Sequence, residues 1–200
     1  SDIVKVSMEL LVDSQESWPS ILGDLLFERI ARGENNLLTL GTGSNTHQGV
    51  AATGGASDSG VTLASATAIT YDELQNIKFS LDRAYRSVAT WMYNDTVLQR
   101  IMQIKGSDNH PMWQPDIRKG EPGLLLGHPH QNNQDLPDGT GTKCILFGDF
   151  SKFWIREVEG FTLRRSDERY WEQFQSAFVG FIRSDSEIIQ SGAIKYVTNG

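Results

Sequence analysis

Two histidines, His128 and His130, stand two residues apart around Pro129. In a strand, that spacing points both imidazoles to one face, an arrangement some metal sites use. A third ligand would come from His110, His47, Asp135 or Asp138. A small metal-dependent hydrolase using His128, His130 and nearby carboxylates is one reading; histidines alternating on an exposed strand edge are the commoner one. The run Gly41-Thr42-Gly43-Ser44-Asn45-Thr46-His47-Gln48-Gly49 invites phosphate binding. A phosphate loop needs Lys and then Ser or Thr after its last glycine, and Val50 and Ala51 stand there instead. A dinucleotide loop follows a strand, whereas this run follows a helical pattern, so it reads as a turn. Cys144 is the one cysteine and lies in an apolar run. It excludes an internal disulfide and reads as a buried structural thiol rather than a nucleophile. The chain has no Gly-x-Ser-x-Gly elbow, and no spacing selects a Ser or Thr beside a base. Carboxylate pairs for glycoside cleavage meet only in space, so sequence does not reach them. No catalytic residue, cofactor or metal is assigned.

Arg164, Arg165 and Arg169 are interleaved with Asp167 and Glu168. Such a segment is either a solvated loop with ion pairs of small value or a charged subunit edge that sets register and partner choice. Five Trp, five Tyr and nine Phe are many for 200 residues. Trp18, Trp113 and Tyr170-Trp171 lie beside turns or polar runs, where aromatics often anchor interfaces.

Positioning these groups requires a core, and 38% hydrophobic residues over 200 positions can build one domain or two small lobes. The formal net charge of −7, from 18 Lys and Arg against 25 Asp and Glu, argues against a dedicated nucleic-acid binder. No run of 18 apolar residues exists, so no membrane span is expected. The opening Ser1-Asp2-Ile3-Val4-Lys5 has no apolar signal segment, and with one cysteine this fits synthesis in a reducing cytoplasm.

Alternation of Val4, Val6 and Met8 predicts a strand over residues 3–11. Residues 13–17 are turn and capping types. Ile21, Leu22, Leu25, Leu26 and Ile30, opposite Asp24, Glu28 and Arg32, predict an amphipathic helix running on toward Leu38. Residues 41–69 are small and polar without period, the expected boundary between lobes and the most mobile segment. A helix over 71–84 is capped by Thr70 or Asp72, a short strand follows over 86–93, and Asn94-Asp95 caps a helix over 96–104. Residues 105–122 and 132–141 read as loops, and Lys143 to Phe147 as a buried strand. A hairpin turning at Glu159-Gly160, a strand over 174–182 and a last one over 193–197 complete the pattern.

In order, these pieces form a series. Val6-Ser7-Met8-Glu9-Leu10-Leu11-Val12-Asp13-Ser14 leads a helix ending near Gly41-Thr42-Gly43. Asp72-Glu73-Leu74, Trp91-Met92-Tyr93-Asn94-Asp95, Met112-Trp113-Gln114-Pro115 and Leu126-Gly127-His128-Pro129 follow. Leu136-Pro137-Asp138, Phe147-Gly148-Asp149-Phe150 and Arg183-Ser184-Asp185 close it. The series resembles the major capsid proteins of tailed bacteriophages with the Hong Kong 97-like fold, over essentially all 200 residues. Each motif is weak alone; the ordered set is specific.

The resemblance implies an α+β fold with two lobes. A peripheral lobe, residues 1–40 and 150–200, would hold a long spine helix and an elongated sheet. An axial lobe, residues 41–149, would hold a sheet flanked by helices, with loops 105–122 and 132–141 as candidates for contacts at five-fold and six-fold axes. It implies a shell subunit of a phage or prophage, with copies of itself as partners, a scaffold or protease during assembly, and packaged DNA touched only loosely. It implies a place in the virion capsid after synthesis in the bacterial host. Subunit-contact candidates are Trp113, Asp135, Asp138, Arg164, Arg165, Asp167 and Arg169. The family's N-terminal arm and extended loop have no counterpart here, so the chain is expected to be a truncated form, and no crosslinking residue is carried over. Where the family often has Pro after the Gly43 turn, His47 and Gln48 stand. An encapsulin-like compartment shell shares the fold and remains the third reading.

Overall fold

A computed structural model describes residues 3–13, 18–52, 54–65, 68–106, 108–110, 112–113 and 123–200. Residues 14–17 of the turn expected at 13–17, and residues 107, 111 and 114–122 of the loop expected at 105–122, lie outside the described residues. By their contacts the residues form two compact units, Ser1–Asn36 with Ile155–Asp185, and Leu37–Trp154 with Ser186–Gly200.

The first unit is organised by strand β1 (Val4–Ser7), helix α1 (Met8–Asp13), and most of helix α2 (Trp18–Leu40) and strands β7 (Phe153–Ser166) and β8 (Gln175–Ile188), whose residues 37–40, 153–154 and 186–188 belong to the second. The sheet order is β1-β8-β7, with β1 antiparallel to β8. In α2, Leu22 is buried and Trp18, Leu26 and Ile30 are half-buried, one residue per turn on one stripe. Leu22 closes on Val6 and Phe178, with Val4, Leu11 and Leu163 around them. The 23 residues of α2 give a rod of about 35 Å. Farther along the helix, Glu34 accepts a hydrogen bond from the Ser184 hydroxyl.

Two expectations fail here for local reasons. The strand expected over 3–11 stops at Ser7, because the Ser7 hydroxyl accepts the Leu10 N–H (3.2 Å) and turns the chain into α1. The hairpin expected at Glu159-Gly160 is absent: β7 continues through both residues. Each has a left-handed φ, 66° and 61°, which re-aims one continuous strand.

The second unit holds β2 (Ser57–Thr62), α3 (Tyr71–Ser80), α4 (Arg83–Arg86), β3 (Thr90–Tyr93) and α5 (Asp95–Met102). It also holds β4 (Leu124–Leu125), β5 (His128–Asn132), β6 (Lys143–Gly148) and β9 (Ile194–Thr198). Its six-stranded sheet has the order β2-β9-β6-β3-β5-β4 and is mixed: β3 runs parallel to β5 and antiparallel to β6. Alternation divides the core. Trp91, Tyr93, Ile145, Phe147 and Val197 join Leu74, Ile77 and Ile101 of α3 and α5 on one side. Met92, Leu146, Ile194 and Tyr196 meet Val50, Ala51, Leu136 and Ile188 on the other. Cys144 and Ile145 are neighbours yet share the helix side, because the β6–β9 register shifts between Lys143 and Ile145.

β9, expected with the peripheral strands, lies in this sheet between β2 and β6. Within the segment expected at 41–69 as a boundary and the most mobile stretch, the described residues around Val50 are packed. Val50 and Ala51 donate to the carbonyls of Leu38 and Thr39 (2.9 Å each), and Val50, Ala51 and Ala56 are buried. The strand expected over 86–93 is shortened at its start by α4. Thr70 and Asn94 cap helices as expected, but the helix expected over 71–84 stops at Ser80, where Asp82 caps the separate α4, and the one expected over 96–104 spans Asp95–Met102. Among the described residues, no helix is long and apolar enough to cross a membrane.

Candidate functional site

The histidine pair lies on the helix-covered side of β5, both imidazoles on one face. Their neighbours are aromatic. His128 meets the Phe147 ring edge to face at 5.2 Å; His130 stacks on Tyr93 and takes the edge of Trp113, both at 5.7 Å. Burial lowers the pKa of His128; Lys78 and Arg86 lower it further, against an opposing hydrogen bond to the Ala89 carbonyl. Among the described residues, no group of three or more His, Cys, Asp or Glu could hold a metal ion. The imidazoles pack among aromatic rings on an internal strand, paired with β3 and β4, and the metal-hydrolase reading is not favoured.

The glycine run is explained by backbone packing. Gly49 donates to the Gly41 carbonyl (2.7 Å), and a Cβ on Gly41 would lie 2.3 Å from the His47 carbonyl oxygen. The turn brings Gln48 against the end of β8. Its amide nitrogen donates to Gly54 O, and its side-chain oxygen accepts the Ile188 N–H, each at 3.0 Å. The Ser186 hydroxyl donates to the Gln48 carbonyl (3.0 Å). Cys144 is fully buried, its thiol pushed up to about 11 chiefly by burial, so it is inert at neutral pH.

The contact candidates fall into separate places. Trp113 is half-buried against the core and lines a cavity of about 230 Å³ with Leu74, Ile101, Met112 and Leu125. Asp135 and Asp138 lie in the loop after β5. The Asp135 N–H is held by the Asn133 side chain (3.1 Å), and Asp138 stands 3.5 Å from the Arg100 guanidinium. In the first unit, Arg165 bonds Asp167 at 2.7 Å, and that hydrogen bond, with a second from Ser176, holds the Asp167 pKa low. Both partners are about half exposed, so the bridge contributes little to stability. Arg164 covers the Phe181 ring and Arg169 the Tyr170 ring.

Exposed apolar side chains, by contrast, are frequent. Trp171 and Phe174 are each 65% exposed; Phe79, Val88 and Leu124 lie between 56% and 62%. Of these, sequence reasoning singled out Trp171 alone. Phe79 follows Ile77 and Lys78 in a helical pattern that reads as core from spacing; exposure at the end of a short helix is not written in that period.

The phage capsid family model matches residues 1–199. No curated protein sequence matches. Among solved structures, the capsid of a native GTA particle superposes with a TM-score of 0.89 at 22% identity, covering all of this chain and 71% of that one. The capsid of the empty GTA particle gives 0.88 at 22%, over all of this chain and 72% of that one. A chain from Microbacterium phage Oxtober96 gives 0.73 at 16%, over all of this chain and 71% of the other. The chain belongs to the phage capsid family and has the α+β fold of Hong Kong 97-like capsid subunits. It is a structural capsid protein of a phage or phage-like particle.

Proposed function

We propose that copies of this chain close into the pentamers and hexamers of an icosahedral shell around DNA. The unit containing α2 and the β1-β8-β7 sheet serves as the peripheral lobe, and the unit containing the six-stranded sheet as the axial lobe. One subunit then makes several non-identical contacts, the requirement for closing rings into a shell. Asp135 and Asp138 on one unit, and Arg164 and Arg169 on the other, contribute to these contacts, while Arg165 and Asp167 hold one another. Catalysis plays no part.

The observation that carries this reading is the spread of exposed aromatic and aliphatic side chains over both units, at Trp171, Phe174, Phe79, Val88 and Leu124. Scattered single apolar residues are ordinary, but exposed Trp171 and Phe174, with ring centroids 6.2 Å apart, make a contiguous patch of the kind that marks a protein contact. The net charge of −7 suits an inner surface that touches packaged DNA without gripping it. Synthesis takes place in the host cytoplasm, with a scaffold or protease acting during assembly.

Sedimentation velocity of the intact gene product tests the reading: a fast, narrow boundary of closed shells is expected. A lone slow boundary at every salt and protein concentration overturns it. Tight, sequence-independent DNA retention on filters at physiological salt would overturn the loose-contact part.

A further inference from the structure

The second unit is electrically polar along its β3–β5 pair. These strands are parallel, with Trp91 opposite His130 and Tyr93 opposite Asn132, so their N-terminal ends share one side and their C-terminal ends the other. On the N-terminal side stand Lys78 at the end of α3, Arg83 and Arg86 on α4, and His128. Lys78 donates to Leu126 O (3.0 Å) and Arg86 to Leu81 O (2.7 Å), so both cations are held in place. Two acids stand there, each tied to backbone: the Asp82 side chain caps α4 by accepting the Ala84 N–H, and buried Asp149, just after β6, accepts the Ser151 N–H. Arg83 is exposed, and exposed Phe79 and Val88 lie among these cations, with Leu124 beside β5.

On the C-terminal side the charge reverses. Asp95 opens α5, and Asp135 and Asp138 follow β5, against two cations, Arg100 beside Asp138 and Lys143 at the start of β6. Four residues of β3 separate the two sides by about 13 Å. That exceeds the Debye length of roughly 8 Å at physiological salt, so the two ends do not neutralise each other within one copy.

We propose that this unit is self-complementary head to tail, the α3–α4 end of one copy docking on the acidic 132–138 end of the next. This rests on the shell reading above and assigns the surface by which neighbours in a ring meet. The occupant is a second copy because the two charged ends match one another and the family builds capsids. Two different patches in contact make a heterologous interface, which generates a ring when the rotation closes. Phe79 and Val88 form the dry centre; the charges set orientation and association rate.

Charge reversal in the intact gene product tests it. Arg83→Glu alone and Asp135→Lys alone each place like charges across every contact, and each lowers assembly rate by about tenfold at low salt. The double variant carries reversed polarity at both ends and recovers most of that rate. Circular dichroism checks folding, and Arg83→Gln with Asp135→Asn repeats the test without charge reversal, each slowing assembly and losing salt sensitivity. Single variants that fold and assemble like the wild type overturn the proposal, as does a double variant no better than the worse single. Failure of the wild type to form particles at all would instead remove the shell reading on which it rests.

Discussion

Gly148 and Ala193 approach so closely that a Cβ on Gly148 would lie 2.3 Å from the Ala193 carbonyl oxygen. That oxygen is not free to move, because it accepts the Asp149 N–H at 2.9 Å. β6 and β9 pair through this point, with Gly148 opposite Ile194. Gly148→Ala forces apart the centre of the six-stranded sheet. The expected loss is about 3 kcal/mol, a Tm lower by roughly 6–12 °C for a chain of this size. Thermal unfolding measures it, and an unchanged Tm would show that the strands separate at no cost.

Gln48 clamps the glycine turn onto the end of β8. Gln48→Ala strands the buried Ile188 N–H and costs about 2 kcal/mol. Gln48→Glu keeps the acceptor for Ile188, and in acid, below about pH 4, its protonated carboxyl can donate to Gly54 O in place of the amide, so there it is the milder variant. Denaturant midpoints that rank the two in the opposite order contradict the clamp.

The capping box of α3 makes stability pH-dependent in acid. Burial of Glu73 raises its pKa, but hydrogen bonds from Ala64 N, Thr70 Oγ1 and Thr70 N outweigh it and leave the carboxyl below the ordinary range. A depressed carboxyl contributes stability above its unfolded pKa and loses it as pH falls through the folded one. Glu73→Gln is therefore less stable than wild type at pH 7, and the gap narrows below about pH 4. Chemical denaturation at several pH values checks the convergence.

His128 acts in a higher window. Burial and the nearby Lys78 and Arg86 favour its neutral form in the folded chain. A depressed imidazole gives stability in full above its unfolded pKa, about 6.5, and loses it progressively as pH falls through the folded value. His128→Gln flattens the stability profile between pH 7 and pH 5. A wild-type profile already flat there would show that neither burial nor the cations depress the imidazole.

The parts of this fold with strong periodicity were legible in the amino-acid order. The stripe of Leu22, Leu26 and Ile30 marked α2, and the apolar run from Cys144 to Phe147 marked a central strand. Thr70 and Asn94 declared two helix starts through their capping chemistry. What stayed hidden depends on partners distant in sequence. Whether Glu159-Gly160 turns a hairpin or bends one strand is decided by pairing along β8, since two left-handed residues serve either. The place of β9 between β2 and β6 is hidden as well, because an Ile-Lys-Tyr-Val-Thr strand carries no label for its sheet. The charge polarity of β3 and β5 appears only once their parallel register is known.

Electron microscopy of the intact gene product tests the central claim most directly. The account predicts closed, icosahedral particles of uniform diameter whose capsomers show five-fold and six-fold rings. A preparation of folded protein that yields only dispersed single subunits, under conditions spanning low and high salt, would contradict it.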